Sequence, residues 1–297
     1  MKSLLKRLRT SLIARELPQG GWLFLRGSGQ TALEPTCLAL LALRRDSSID
    51  TNILVHTQRS DGGWGAFTGD DQASGLSGLA LLTLNTLGTF QRARSRAVRW
   101  LLNNRGKEAS WPWNWKFRTR DTHARFDPDK FGWPWQPGTC SWVVPTAFAV
   151  LALKQSFPCC CPSKVAFRIR RGVEMLVDRA CSGGGWNAGN GVVYGSPMAA
   201  HVDATAIALL ALQGDPPTEI TTRSVQWLEG EAYACEAPWS LAWAILALHA
   251  HGKPVKRIHE SLAGLAEFDA LDDMAVLAAV VLALDCATSC NPFKVTP

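Results

Sequence analysis

One apolar phrase returns six times along this chain, and it limits the possible folds more than any other feature. It reads Cys37-Leu-Ala-Leu-Leu-Ala-Leu43, Leu79-Ala-Leu-Leu-Thr-Leu84 and Phe148-Ala-Val-Leu-Ala-Leu153. It then returns as Ile207-Ala-Leu-Leu-Ala-Leu212, Trp243-Ala-Ile-Leu-Ala-Leu248 and Ala279-Val-Val-Leu-Ala-Leu284. The closing leucines are 41, 69, 59, 36 and 36 residues apart. Self-similarity at such spacing marks a repeat architecture. Each phrase is apolar nearly all round, so a helix made from it must be buried on every side, and its alanines let neighbouring helices approach closely. Between the phrases lie amphipathic segments that mix charge with periodic Leu, Val or Ile: 4–17, 51–58, 94–103, 165–179, 222–229 and 255–266. Strand signals are almost absent. Six buried helices alternating with six half-exposed ones predict an all-α (α/α)6 toroid of six hairpins, one domain over residues 1–297. An open solenoid is the alternative, and the lack of polar capping repeats favours closure. With 47% hydrophobic and 19% charged residues, the chain can fill such a core and is too apolar for disorder.

Glycine and proline punctuate the joins. Pro18-Gln-Gly-Gly-Trp22, Gln58-Arg-Ser-Asp-Gly-Gly-Trp64-Gly and Cys181-Ser-Gly-Gly-Gly-Trp186 each follow an outer segment. Glycine permits the tight turn, and the indole packs back on the neighbouring hairpin. The 69-residue interval carries a Trp-rich insertion, Trp111-Pro-Trp113-Asn-Trp115 and Gly132-Trp133-Pro-Trp135-Gln-Pro-Gly-Thr-Cys140-Ser-Trp142, with six of the 13 tryptophans.

The Gln58–Gly65 phrase resembles the Gln-Trp motif of squalene-hopene and oxidosqualene cyclases, and the turns at Trp22 and Trp186 are similar to degenerate copies. Glu34-Pro-Thr36, Pro145-Thr-Ala147 and Asp203-Ala-Thr-Ala206 are similar to the openings of inner helices in the same terpenoid-cyclase and protein-prenyltransferase superfamily. The resemblance runs over roughly residues 3 to 287 and implies a polyisoprenoid chain bound in the apolar centre. It also implies protonation-initiated, class II cyclisation. That chemistry needs a carboxylic acid kept protonated by burial and aromatic faces for the cations that follow. It requires no cofactor and no metal.

The acid phrase of the hopene enzymes corresponds to His201-Val-Asp203-Ala-Thr-Ala206. Asp203 is therefore the expected acid, with His201, two residues earlier, placed to tune it. An N-cap at the start of a buried helix is the plain alternative for Asp203, and Glu34 fills the same repeat position. Trp142, at the entry to an inner helix, is the foremost expected substrate-binding aromatic. Trp133, Trp135, Trp239 and Trp243 join it as wall residues, and Glu34 and Cys140 complete the set. The pair Asp70-Asp71 is either a solvated loop or a holder of a metal-diphosphate.

Other classes fit less well. Zinc-dependent prenylation needs an Asp-Gly-Cys phrase, which Gly138-Thr-Cys140-Ser matches loosely and without its Asp. No lanthionine-cyclase Cys-His phrase or thioester segment is present. An (α/α)6 glycosidase remains open, because Glu34 and Asp203 would share one end of the barrel. The cyclases have two barrels and this chain has length for one. A non-catalytic isoprenoid-binding toroid, or one subunit of a hetero-oligomeric prenyltransferase or cyclase, therefore stays open beside the enzyme. The nine cysteines, with Cys159 to Cys161 adjacent, form no CxxC pair and suit reduced thiols. The net charge of +6 comes without a nucleic-acid motif. Neither a membrane span nor a signal peptide is expected, which predicts the cytoplasm, with the basic N-terminal helix as a place for peripheral membrane contact.

Overall fold

In the computed structural model the chain alternates between an outer and an inner path. The residues described are 1–25, 27, 29–44, 46, 49–88, 90–156, 162–268, 271–286 and 291–295; Cys159, Cys160 and Cys161 lie outside them. Outer α1 (Lys2–Ile13) leads to inner α2 (Leu33–Leu43), and outer α3 (Ile53–His56) to inner α4 (Ser77–Leu87). Outer α5 (Gln91–Asn103) is followed by an extra helix, α6 (Trp111–Thr119), before inner α7 (Val143–Gln155). Outer α8 (Pro162–Asp178), α10 (Glu219–Ala232) and α12 (Lys256–Phe268) alternate with inner α9 (Val202–Ala211), α11 (Pro238–Ala250) and α13 (Met274–Asp285). The inner helices pack in the order α2, α4, α7, α9, α11, α13, and α13 packs on α2. The repeats close into a ring, as an (α/α)6 toroid requires. Five of the six apolar phrases lie wholly inside these inner helices, and the fourth ends at Leu212, the C-cap of α9.

One outer element is shorter than expected, and the N-terminal one takes its expected outer place. The helix predicted over 51–58 is one turn, because Asp50 accepts from the backbone and side chain of Asn52 before it, and Gln58 donates to the carbonyls of Gly62 and Ala93 after it. The N-terminal helix is an ordinary outer helix, with Leu4, Leu5, Leu8 and Leu12 buried against the ring.

Four Gly-Trp turns staple outer helix to inner helix by one geometry. The indole N–H of Trp22, Trp64 and Trp186 donates to the carbonyl ten residues upstream, on Leu12, Leu54 and Leu176, at 2.6–2.8 Å. The backbone N–H of each donates to a hydroxyl in the first turn of the next inner helix, Thr36, Ser77 or Thr205, at 2.8–3.0 Å. Trp133 is the fourth staple: its indole donates to Leu101 and its amide to Thr146, both at 2.9 Å. All four rings are buried. Gly185, at φ +78°, shows why glycine precedes the Trp, since a Cβ there would lie 2.7 Å from the Thr205 hydroxyl.

The loops that follow the staples lace the rim together. The residue two after each Trp accepts a backbone N–H from the start of the preceding inner helix: Ala66 from Leu33, Trp135 from Gly75 and Ala188 from Val143. The last link is Phe24 accepting from Met274, which joins the sixth repeat to the first. These bonds satisfy amides that a helix N-terminus otherwise leaves unpaired.

Because the stapling hydroxyl faces the outer layer, a residue two earlier lies about 200° round the helix and faces the ring axis. Aligning the closing leucines puts Glu34, Gly75, Val144, Asp203, Trp239 and Ala275 at that position. They form the mouth. Four residues on, the same face carries Leu38, Leu79, Phe148, Ile207, Trp243 and Ala279, and three further on it carries leucine in all six helices: Leu41, Leu82, Leu151, Leu210, Leu246 and Leu282. All twelve are buried. The far end is closed by residues 291–295. Phe293 is fully buried with its ring 5.0 Å from Trp243, Gln213 and Gln155 donate to the carbonyls of Phe293 and Pro292, and Asn291 donates to Leu246. The centre is apolar as expected, but side chains fill it.

Candidate active site

The mouth combines the sequence-predicted acids with one of the predicted aromatics. Helices α2 and α9 are three places apart in a ring of six, so Glu34 and Asp203 face each other across the opening. Trp239, on α11 beside α9, donates its indole N–H to Asp203 Oδ2 at 3.3 Å. His201 is the N-cap residue of α9 without a side-chain cap bond. Asp203 thus accepts from a neighbouring inner helix and, among the described residues, not from its own first-turn amides.

Glu34 is the mouth carboxyl with a shifted titration. Burial, and next the charge of Asp273 at the start of α13, push its carboxyl up to about 7. Asp273 is fixed there as the N-cap of α13, accepting from Ala275 and Val276 at 2.8 and 3.1 Å. A carboxyl that titrates near neutrality gives and takes protons readily at physiological pH. One turn below, burial pushes the Cys37 thiol up to about 12, despite an opposing hydrogen bond with Thr83, which suits a packed thiol and not a nucleophile.

The other expected residues are distributed unevenly. Trp135 lies over the mouth: a Cβ on Gly75 would come within 3.2 Å of its Cα and 2.6 Å of the Pro134 carbonyl, so only glycine lets this loop approach. Trp142 caps α7 with a half-exposed ring beside Gly189. Trp133 is a staple and faces no opening. Trp243 is buried in the filled axis, against Phe148 at 5.7 Å, Trp239 at 5.6 Å and Phe293. His201 is exposed, and its ring makes no hydrogen bond to Asp203 among the described residues. Cys140 stands outside the mouth, where burial raises its thiol near the buried Glu108–Arg179 pair, whose charges are 3.7 Å apart. Asp70 closes its own turn by accepting from Phe67 at 2.9 Å, and Asp71 is exposed. Among the described residues, no helix is long and apolar enough to cross a membrane.

A cavity of about 850 Å³ opens beside the insertion, with Phe117, Arg118, His123, Arg125, Phe126 and Asp178 on its walls. Its charges largely satisfy one another: Arg118 pairs with Asp127 and Asp129, and Lys130 with Asp127 and Asp178. The mouth has the better chemistry, because one of its carboxyls titrates near neutrality and has an opposing carboxylate across the opening.

Comparison with known proteins supports the architecture. No protein-family model matches the chain, and no curated protein matches it by sequence. Among solved structures it is similar to the cellobiose 2-epimerase of Spirochaeta thermophila DSM 6192, with a TM-score of 0.54 and 11% identity, over 96% of this chain and 98% of that one. At that identity the likeness establishes the fold alone, an α/α toroid.

Proposed function

We propose that this chain is a proton-transfer enzyme working at the mouth of its inner ring, with Glu34 as the acid and Asp203 as the opposing carboxylate. The observation that carries this reading is the Glu34 carboxyl pushed up to about 7 where it faces a second carboxylate. The substrate reading favoured by the Gly-Trp turns is a polyisoprenoid. With the axis filled below, its reacting end would lie across the mouth against Trp239 and Trp135, with Trp142 at the rim. Glu34 would give its proton to a terminal alkene or epoxide, and ring-closing C–C bonds would form. The last cation would lose a proton to Asp203. The net change is an isomerisation, so no co-reactant is needed. The indole of Trp239 supplies an electron-rich face for the cation.

A second reading, acid–base chemistry on a carbohydrate, is favoured by the two opposed carboxylates and by the likeness to a cellobiose 2-epimerase. One experiment separates them. Purified protein is incubated with squalene, oxidosqualene and geranylgeranyl diphosphate, and separately with cellobiose, and the products are analysed. Cyclic hydrocarbon or alcohol products that vanish in Glu34→Gln support the first reading, and an epimerised or cleaved sugar supports the second. Turnover that persists unchanged in Glu34→Gln contradicts both. Binding without turnover would make the chain a non-catalytic toroid.

A further inference from the structure

We infer that α6 is a docking element for an anionic lipid surface. The helix has no buried residue, although it carries three tryptophans and a phenylalanine. Trp111 is 79% and Trp115 46% exposed, and their spacing of four puts them on one face of the helix. The opposite face is used internally, where Trp113 packs on Phe117 at 5.9 Å and Phe117 on Phe126 at 5.2 Å. Two adjacent indoles standing in water are costly for a packed globular protein and ordinary at a membrane interface, where an amphipathic ring lies among the headgroups.

The charge around this face says what covers it. Residues 105–125 hold six Lys or Arg against two Asp or Glu, and one of those acids, Glu108, is buried. Arg120 lies 5.0 Å over the Trp115 ring and makes no ion pair among the described residues; Lys107 and Lys116 lie 4.1 and 4.7 Å over Trp113 on the other side of the helix, where Lys116 also pairs with Asp121. Exposed indoles interleaved with cations match a surface of apolar tails beneath anionic headgroups, and each cation near such a surface adds to the attraction.

The helix is rooted at the mouth end. Immediately before it, Lys107 donates its amide to the Thr139 carbonyl, and the Glu108 carboxylate accepts from the amide of Ser141, next to Trp142 at the start of α7. Docking through α6 would bring lipid to the mouth side of the ring. The inference rests on α6 alone and not on the chemistry assigned to Glu34.

The test is co-sedimentation of the full chain with phosphatidylcholine vesicles, with and without about one third phosphatidylserine. The expected result is binding to the anionic vesicles that weakens at high salt, and a loss of about tenfold or more in partitioning for W111S/W115S. The variant should stay close to the wild-type melting curve, because neither residue is buried. Arg120→Glu should weaken binding to anionic vesicles and leave binding to neutral ones unchanged. Absence of wild-type binding overturns the inference, as does a W111S/W115S variant that sediments like wild type. A variant that instead loses self-association in light scattering also overturns it, by assigning the face to a second copy. Turnover at the mouth without vesicle binding would remove this inference and leave the other reading standing.

Discussion

The two ends of the barrel are made by the same six helices and carry opposite chemistry. At the mouth, the repeat position that faces the axis holds two acids, a tryptophan, a valine, an alanine and a glycine, partly open to solvent. Seven residues further along each helix the same face holds leucine six times, and beyond it Phe293 and three side-chain amides close the opening. Where every repeat obeys one rule, the product is a packed core. Where the repeats differ from one another, the product is the proposed site. The difference between the two ends is therefore also a division of labour between stability and chemistry, and it can be broken by substitution.

The largest effect is expected in the filled axis. Trp243→Ala removes a buried indole that touches Phe148, Trp239 and Phe293, and should cost about 3–5 kcal/mol in chemical denaturation. Retained stability would mean that the axis is looser than its packing indicates. Next is the pH dependence set by Glu34. Its native carboxyl keeps its proton up to about pH 7, while the unfolded chain releases it at the ordinary glutamate value. Between those two pH values the native state binds more protons, so stability falls as pH rises through that window, by at most about 3–4 kcal/mol. Glu34→Gln should flatten that slope, as read from denaturation midpoints at a series of pH values.

A staple comes third. Thr205→Val deprives the buried Trp186 amide of its acceptor and should cost about 1–3 kcal/mol, with the loss shown by faster hydrogen exchange at that amide. The smallest effect belongs to the mouth. Asp203→Asn keeps an oxygen that can accept from Trp239, so the denaturation midpoint should move by less than about 1 kcal/mol, while turnover falls sharply. A large loss of stability would assign Asp203 to the scaffold.

The scaffold is legible in the sequence because its cause is periodic. Six apolar phrases in register require six buried helices, and the shared repeat position of Glu34 and Asp203 places both at one end of the barrel. Three features are hidden for physical reasons. Trp133 is a staple like Trp64, but the insertion separates its indole from the accepting Leu101 by 32 residues instead of ten, so the phrase does not look repeated. The role of Trp243 depends on Phe293, which comes from a segment without any repeat signature and reaches the axis only in three dimensions. The protonation of Glu34 depends first on its burial in the assembled ring and next on the charge of Asp273, distant in sequence and adjacent only because the ring closes. Conversely, the tuning contact expected of His201 is absent because that residue points outward as an N-cap, and Trp239 donates to Asp203 in its place.

The most direct test is a carboxyl-carbon NMR titration of glutamate-labelled protein, with the Glu34 resonance identified by its absence in Glu34→Gln. A mouth that holds a proton donor predicts a midpoint near pH 7 for that resonance. A midpoint in the ordinary glutamate range, about 4 to 5, would contradict it and leave the toroid with a site of some other kind.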